Sequence, residues 1–184
     1  MTRPPLAITI GDPAGIGPEV VLKALVALKA DPSHFILVGH RSHLDATVAR
    51  LHATHSTDST IKLEELEQDL KTWRIIEPAL SVEPAEIQLG QESTIGGAAS
   101  FAALNRAIDL CLDGTCRGLV TAPISKTAWK TAGHHYPGQT ELLAERSQCQ
   151  RFGMMFVAQS PHTGWSLRTL LATTHIPLAD RSTA

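Results

Sequence analysis

The stretch Leu6-Ala-Ile-Thr-Ile10, followed directly by Gly11-Asp-Pro-Ala-Gly-Ile-Gly-Pro-Glu19, decides the fold. A short apolar, β-branched run between Pro5 and Gly11 suits a buried strand. A helix then begins near Pro18, where proline's missing N–H would have had no partner in any case. It carries Val21, Leu22, Leu25, Val26 and Leu28 before Asp31-Pro32 stops it. Strand, glycine loop and helix in this order predict an α/β fold, in which ligands collect beyond the carboxyl ends of the strands.

The glycine loop does not fit a dinucleotide fingerprint. Counted from Gly15, the third glycine of G-x-G-x-x-G falls on Val20, and Pro18 removes an N–H that a phosphate would use. The next strand, Phe35 to Val38, ends in Gly39-His40 with no carboxylate for a ribose, and Gly-Lys-[Ser/Thr] is absent. Two readings stay open: glycines and prolines shaping a tight turn, or a loop facing a ligand cleft.

Further along, Ser42 to Thr54 reads as a helix, Ala53 to Thr60 as a polar loop, and Ile61 to Leu70 as a solvated amphipathic helix. His52 and His55 lack a third partner for a metal. Trp73 to Glu77 reads as a strand and Pro78 to Gly97 as irregular. Ala98 to Leu112 reads as a helix with Phe101, Leu104, Ile108 and Leu112 in the core. Gly118 to Thr121 is expected to be a buried strand that delivers Thr121, Ser125 and Lys126 to the ligand side, and Gly133 ends a short helix over Ser125 to Ala132. Thr140 is expected to cap the helix after Pro137-Gly138, whose free N–H groups suit an anion. Arg151 to Ala158 and Leu167 to Thr173 read as strands joined through an exposed His162. His175 follows the end of the second run, beside the same cleft.

Composition narrows the classes. With 43% hydrophobic residues and a net charge of -2, the chain can bury a core and carries no basic block for nucleic acid. No apolar run approaches the roughly 20 residues of a membrane span, and Leu6–Ile10 is too short for a signal peptide, so a soluble cytoplasmic protein is expected. The odd cysteine set, Cys111, Cys116 and Cys149, reads as reduced and mostly buried thiols.

Taken together, Gly11–Glu19, Val120-Thr-Ala-Pro-Ile-Ser-Lys126, Pro137-Gly-Gln-Thr-Glu141 and Ala172-Thr-Thr-His-Ile-Pro-Leu178 resemble the 4-hydroxythreonine-4-phosphate dehydrogenase family of pyridoxal phosphate biosynthesis. The resemblance covers nearly all of this chain but only about the first half of a family member. Residues 1–184 are therefore expected to be the amino-terminal portion of a two-domain dehydrogenase, cut after its first half, with an internal boundary near 120–135. The resemblance implies an α/β/α sandwich of the isocitrate and isopropylmalate dehydrogenase kind, working as a homodimer.

It also implies oxidation of the C3 hydroxyl of 4-phosphohydroxy-L-threonine with NAD or NADP, and loss of carbon dioxide to give 3-amino-2-oxopropyl phosphate. A divalent metal (Zn, Mg or Co) suits such chemistry as a Lewis acid. Carried over singly, His175 matches the family's first metal-ligating histidine, and Gln139 and Thr140 match substrate-binding positions. Position 139 is histidine in the family's Gly-His-Thr-Glu motif, and glutamine there cannot take up a proton near neutral pH. The family's other two metal-ligating histidines match positions beyond 184. Two alternatives follow: a paralogue oxidising another phosphorylated hydroxy acid or a dihydrodiol, or a noncatalytic remnant that only binds anions.

Overall fold

The computed structural model describes residues 3–54, 63–80 and 82–172. They fall into two compact units, Met1–Pro137 and Gly138–Ala184.

The first unit is an open, all-parallel sheet. β1 (Leu6–Thr9), β2 (Phe35–Val38), β3 (Ile75–Ile76) and β4 (Gly118–Thr121) stand in the order β3-β2-β1-β4. Leu6 is in register with Phe35 on one side and with Gly118 on the other. The chain thus steps outward from β1 to β3 and then crosses back to lay β4 on the other side of β1. Between the strands run α1 (Gly17–Ala27), α2 (Arg41–Thr54), α3 (Leu63–Thr72), α4 (Thr94–Leu112) and, after β4, α5 (Lys126–Thr131).

Strand alternation sorts the core into two layers, since successive side chains point to opposite faces. Phe35 and Leu37 of β2 join Val21, Leu22, Leu44, Leu66 and Trp73 under α1, α2 and α3. Ile36 and Val38 join Ala7, Ala103, Ala107 and Leu110 under α4. Trp73 meets Phe35 edge to face, with ring centroids 5.6 Å apart. α4 is long and apolar enough to cross a membrane by composition alone, but half of its apolar window is buried inside the protein.

α4 begins four residues before the expected Ala98. The Ser93 side chain accepts from Gly96 N–H and caps the helix, so the Gly96-Gly97 pair lies within its first turn. Gly97 is there for close approach: a Cβ would sit 2.0 Å from the Ala128 carbonyl oxygen of α5. The core stripe expected on α4 is only partly right. Leu104 and Ile108 are buried, Phe101 is half-buried against aromatic rings, and Leu112 is exposed at the helix end. The small residues Ala99, Ala103 and Ala107 form the rest of the packed face. β4 is also not the buried strand expected. Its residues are half-buried or exposed, because it is the outermost strand of the described sheet.

The second unit contains α6 (Gln139–Arg146) and an antiparallel hairpin of β5 (Met155–Gln159) and β6 (Ser166–Leu170). The hairpin connection closes through Ser160 N–H to the Trp165 carbonyl, and it carries the exposed His162. Every residue of both strands is exposed, including Phe156, Val157 and Leu170.

Candidate functional site

The carboxyl ends of β1 and β4 meet where the strand order reverses, the place where open α/β sheets hold ligands. The β1 end continues into Gly11 and Asp12. Gly11 has φ 74°, and a Cβ would sit 2.2 Å from the Pro123 carbonyl oxygen, so glycine is required where the two strand ends touch. Asp12 N–H donates to that same carbonyl at 3.0 Å. The glycine loop is therefore a tight turn pinned to the segment after β4, which does not separate the two sequence readings, since the same loop carries Asp12 into the switch-point corner.

Asp12 is the most constrained polar residue of this corner. It is 5% exposed, and its Oδ1 accepts from Ala14 N–H at 2.9 Å, an Asx turn two residues long. The first turn of α4 stands against the same oxygen, since a Cβ on Gly96 would lie 2.8 Å from it. Burial raises the Asp12 pKa above its ordinary value; the Ala14 hydrogen bond opposes this, and the nearby Glu92 charge adds to it. Glu92 in turn accepts from Ser125 Oγ at 2.5 Å. Ser125 also caps α5, accepting from Ala128 N–H at 3.0 Å, and the exposed Lys126 follows as the first residue of that helix. Asp12, Glu92 and Ser125 thus gather two carboxylates and a hydroxyl at the switch point, with the exposed Lys126 next in sequence. Sequence reading singled out Ser125 and Lys126 but not Asp12 or Glu92. The Asp-Pro-Ala order of an Asx turn was the available signal for Asp12; none existed for Glu92, which comes from an irregular segment.

A second polar cluster, missed altogether, lies at the carboxyl end of β2. His40 and His43 are buried edge to face with centroids 5.5 Å apart. Among the described residues, His40 Nε2 and the His43 ring nitrogens are buried without a well-formed hydrogen bond, the Val82 backbone offering His43 at most a weak one. Burial, and then the neighbouring His40, lower the His43 pKa, against the Val82 carbonyl and the Glu83 and Glu77 carboxylates. Glu77 meanwhile accepts from Arg41 N–H at 2.8 Å at the start of α2.

The other expected residues are placed as follows. Gln139 is the first residue of α6, and its Oε1 is buried without a hydrogen-bond partner among the described residues. Thr140 is the second residue of α6, half-buried; it is not the cap, because Gly138 holds that position and no side chain caps the helix. His175 lies outside the described residues, as does His55. His52 Nε2 stands 3.2 Å from Glu67 Oε1, a pair that is ionic only when the imidazole carries a proton. His134 stacks on Phe101, centroids 3.5 Å apart, and burial followed by the His135 charge lowers its pKa. Among the described residues no group of three His, Cys, Asp or Glu side chains fits a metal ion. The cysteines are all free, but only Cys116 is buried: Cys111 is partly exposed, and Cys149, just past α6, is exposed.

An open parallel sheet with helices on both faces defines an α/β protein, and its polar corner lies at the switch point. The chain belongs to the family of the pyridoxal phosphate biosynthetic protein PdxA, which matches residues 31–184. It is 48% identical over 178 residues to a 4-hydroxythreonine-4-phosphate dehydrogenase of Nostoc sp., covering 96% of this chain and 47% of that protein. It is likewise 48% identical over 185 residues to the enzyme of the same name from Synechocystis sp., covering 98% of this chain and 50% of that one. Among solved structures, the 4-hydroxythreonine-4-phosphate dehydrogenase of Klebsiella pneumoniae superimposes with a TM-score of 0.75 at 30% identity, covering 97% of this chain and 53% of that one. The chain spans about half the length of the curated relatives it matches.

Proposed function

We propose that this chain is the amino-terminal portion of an NAD(P)-dependent 4-hydroxythreonine-4-phosphate dehydrogenase, a cytoplasmic homodimer of the isocitrate and isopropylmalate dehydrogenase kind. The reaction removes hydride from C3 of 4-phosphohydroxy-L-threonine and a proton from its hydroxyl; the β-keto acid then loses carbon dioxide to give 3-amino-2-oxopropyl phosphate. The nicotinamide, when bound, supplies the hydride acceptor, and the protein supplies orientation. The family match over residues 31–184 supports the activity.

The start of α6 carries the substrate assignment. Its first N–H groups have no side-chain cap, and they suit a phosphate or carboxylate. Thr140 Oγ1 offers a donor and an acceptor in the same turn, and the unpartnered Gln139 Oε1 needs a donor such as a substrate hydroxyl or ammonium. Gln139 binds without moving a proton. His175 is assigned as one ligand of a divalent metal. The described residues do not fit such an ion, so no step here runs through it.

The test is binding to the chain as it stands. Titration with 4-phosphohydroxy-L-threonine raises the melting temperature, and Thr140→Val removes the effect; ligand at 100 times its Kd stabilises by about 2.7 kcal/mol. No shift, or a shift that Thr140→Val leaves intact, refutes the assignment. Gln139, in place of the family histidine, favours a second reading in which threonate or erythronate phosphate is the ligand. A larger shift with those compounds selects it.

A further inference from the structure

The connection from α4 to β4 brings two cysteines together. Cys111 stands in the last turn of α4, and Cys116 lies two residues before β4. Between them the chain reverses: Gly114 takes φ 80°, and Asp113 Oδ1 accepts from Thr115 N–H at 2.8 Å. Cys116 N–H then donates to the Leu110 carbonyl at 2.7 Å, which folds Cys116 back onto the helix end. With fixed bond lengths and a near-linear hydrogen bond, this contact holds the Cys111 and Cys116 Cα atoms within about 6.5 Å of each other.

A disulfide needs Cα atoms roughly 4.4–6.8 Å apart and side chains that converge. Cys116 is a buried member of the apolar layer under α4, and Cys111 packs against that same layer. The two thiols also sense each other, since Cys111 is among the groups that shift Cys116. Both are free. Access to them differs: Cys116 is 3% exposed, whereas Cys111 is partly exposed and residues 112–114 beside it are open to solvent. A Cβ on Gly114 would touch nothing, so the turn has room to shift as the sulfurs approach.

We infer that Cys111 and Cys116 form a reversible disulfide site, a dithiol that peroxide oxidises to a staple between the end of α4 and the approach to β4. The Cys111 thiolate attacks one oxygen of hydrogen peroxide and the O–O bond breaks; the departing hydroxide takes a proton, leaving Cys111 sulfenic acid and water. The Cys116 thiolate then attacks the Cys111 sulfur. The S–S bond forms, the S–O bond breaks, and the second hydroxide leaves as water with the Cys116 proton. Two thiols thus pass two electrons to one peroxide, and an external dithiol restores them. Burial, and then the Asp113 carboxylate, push the Cys111 thiol up; burial, and then Cys111, push the Cys116 thiol up against Arg74. Thiolates are therefore scarce near neutral pH, and the pair rests reduced until peroxide is in excess. The inference rests on neither family membership nor the proposed activity.

The test uses the whole chain carrying Cys149→Ser, which removes the exposed third thiol. The reduced protein is treated with hydrogen peroxide at about pH 8, and remaining thiols are capped with a maleimide. Trypsin cleavage after Arg106 and Arg117 leaves both cysteines in one peptide, residues 107–117, for mass spectrometry. That peptide becomes lighter by two hydrogens, takes no maleimide and regains both thiols with dithiothreitol, and Cys111→Ser abolishes the species. In mixed reduced and oxidised glutathione, the equilibrium lies about tenfold or more further toward the bridge in the native chain than in urea. A peptide that stays a dithiol overturns the inference. So does Cys111 sulfinic acid with Cys116 still open to maleimide, or a bridge between two chains. A glutathione equilibrium no further toward the bridge in the native chain than in urea also overturns it, because the fold then does nothing to hold the pair together.

Discussion

Asp12 gives the sharpest test of how the switch-point corner is held. Its carboxylate does two opposed things: it satisfies the buried Ala14 N–H, and it keeps a charge in a site 5% exposed beside Glu92. Asp12→Ala removes the acceptor and leaves the N–H unpaired, a loss of about 1–3 kcal/mol. Asp12→Asn keeps an acceptor oxygen in the same place and removes the charge. Because burial raises the folded-state pKa above the ordinary 3.8, the group's contribution to stability is full below that value and is lost as pH rises through the folded-state value. At neutral pH the ionised form therefore works against folding, and Asp12→Asn is neutral or stabilising there, with an advantage over the parent that shrinks toward acid. Urea unfolding of the parent, Asp12→Asn and Asp12→Ala at about pH 4 and about pH 7.5 reads all three terms. An Asp12→Asn protein as unstable as Asp12→Ala at the higher pH would refute the reasoning, because the charge itself would then be stabilising.

Two further perturbations probe the same unit. His43 has a folded-state pKa lowered by burial, so its contribution is present above the ordinary 6.5 and is lost as pH falls through the folded-state value. His43→Phe should flatten the fall in melting stability below that point by up to about 1.4 kcal/mol per pH unit, and an unchanged slope would clear His43 of the role. Gly97→Ala places a methyl 2.0 Å from a backbone oxygen that cannot rotate away, with an expected loss of about 1–3 kcal/mol in urea unfolding. A neutral Gly97→Ala would mean that α4 and α5 do not share this seam.

Much of the first unit was legible because its signals are local. Pro18, Asp31-Pro32 and Gly133 punctuate helices by backbone chemistry, and β1 and β2 announce themselves as short apolar runs between turn residues. The errors occur where tertiary contact overrides local preference. Gly96-Gly97 looked like a break, yet the α5 backbone needs the space and Ser93 supplies the cap. Gly118 to Thr121 looked buried because it is apolar, but no sequence pattern states which strand lies outermost. Of the candidate site, Ser125 and Lys126 followed from strand-end logic. Asp12 with Glu92 and the His40–His43 pair depend on approaches across 80 and three positions respectively, which periodicity does not reveal. Thr140 followed from helix-start logic as well as from family resemblance, and Gln139 from the resemblance alone.

The two units differ in what holds them, and that difference bears on function. The first has two packed layers, with Leu22, Leu37, Leu66 and Trp129 almost wholly enclosed. Trp129 Nε1 donates to Ser100 Oγ at 2.9 Å, so even its largest buried side chain leaves no unpaired polar atom. The second places its only described strands in a two-stranded hairpin exposed along both strands, an arrangement marginal in water without further packing. Gln139 and Thr140, the residues assigned to the substrate, belong to this second unit, and the switch-point corner belongs to the first. Orientation within roughly 0.5 Å is what a catalytic constellation requires, and it comes from packed support behind each side chain. The corner at Asp12 has that support within residues 3–137, whereas the apolar side chains of the hairpin, Phe156, Val157, Trp165 and Leu170, still present uncovered surface to be packed. Binding to the α6 start is therefore expected to strengthen when that surface is covered, and the first unit is expected to melt at nearly the same temperature with or without the cover.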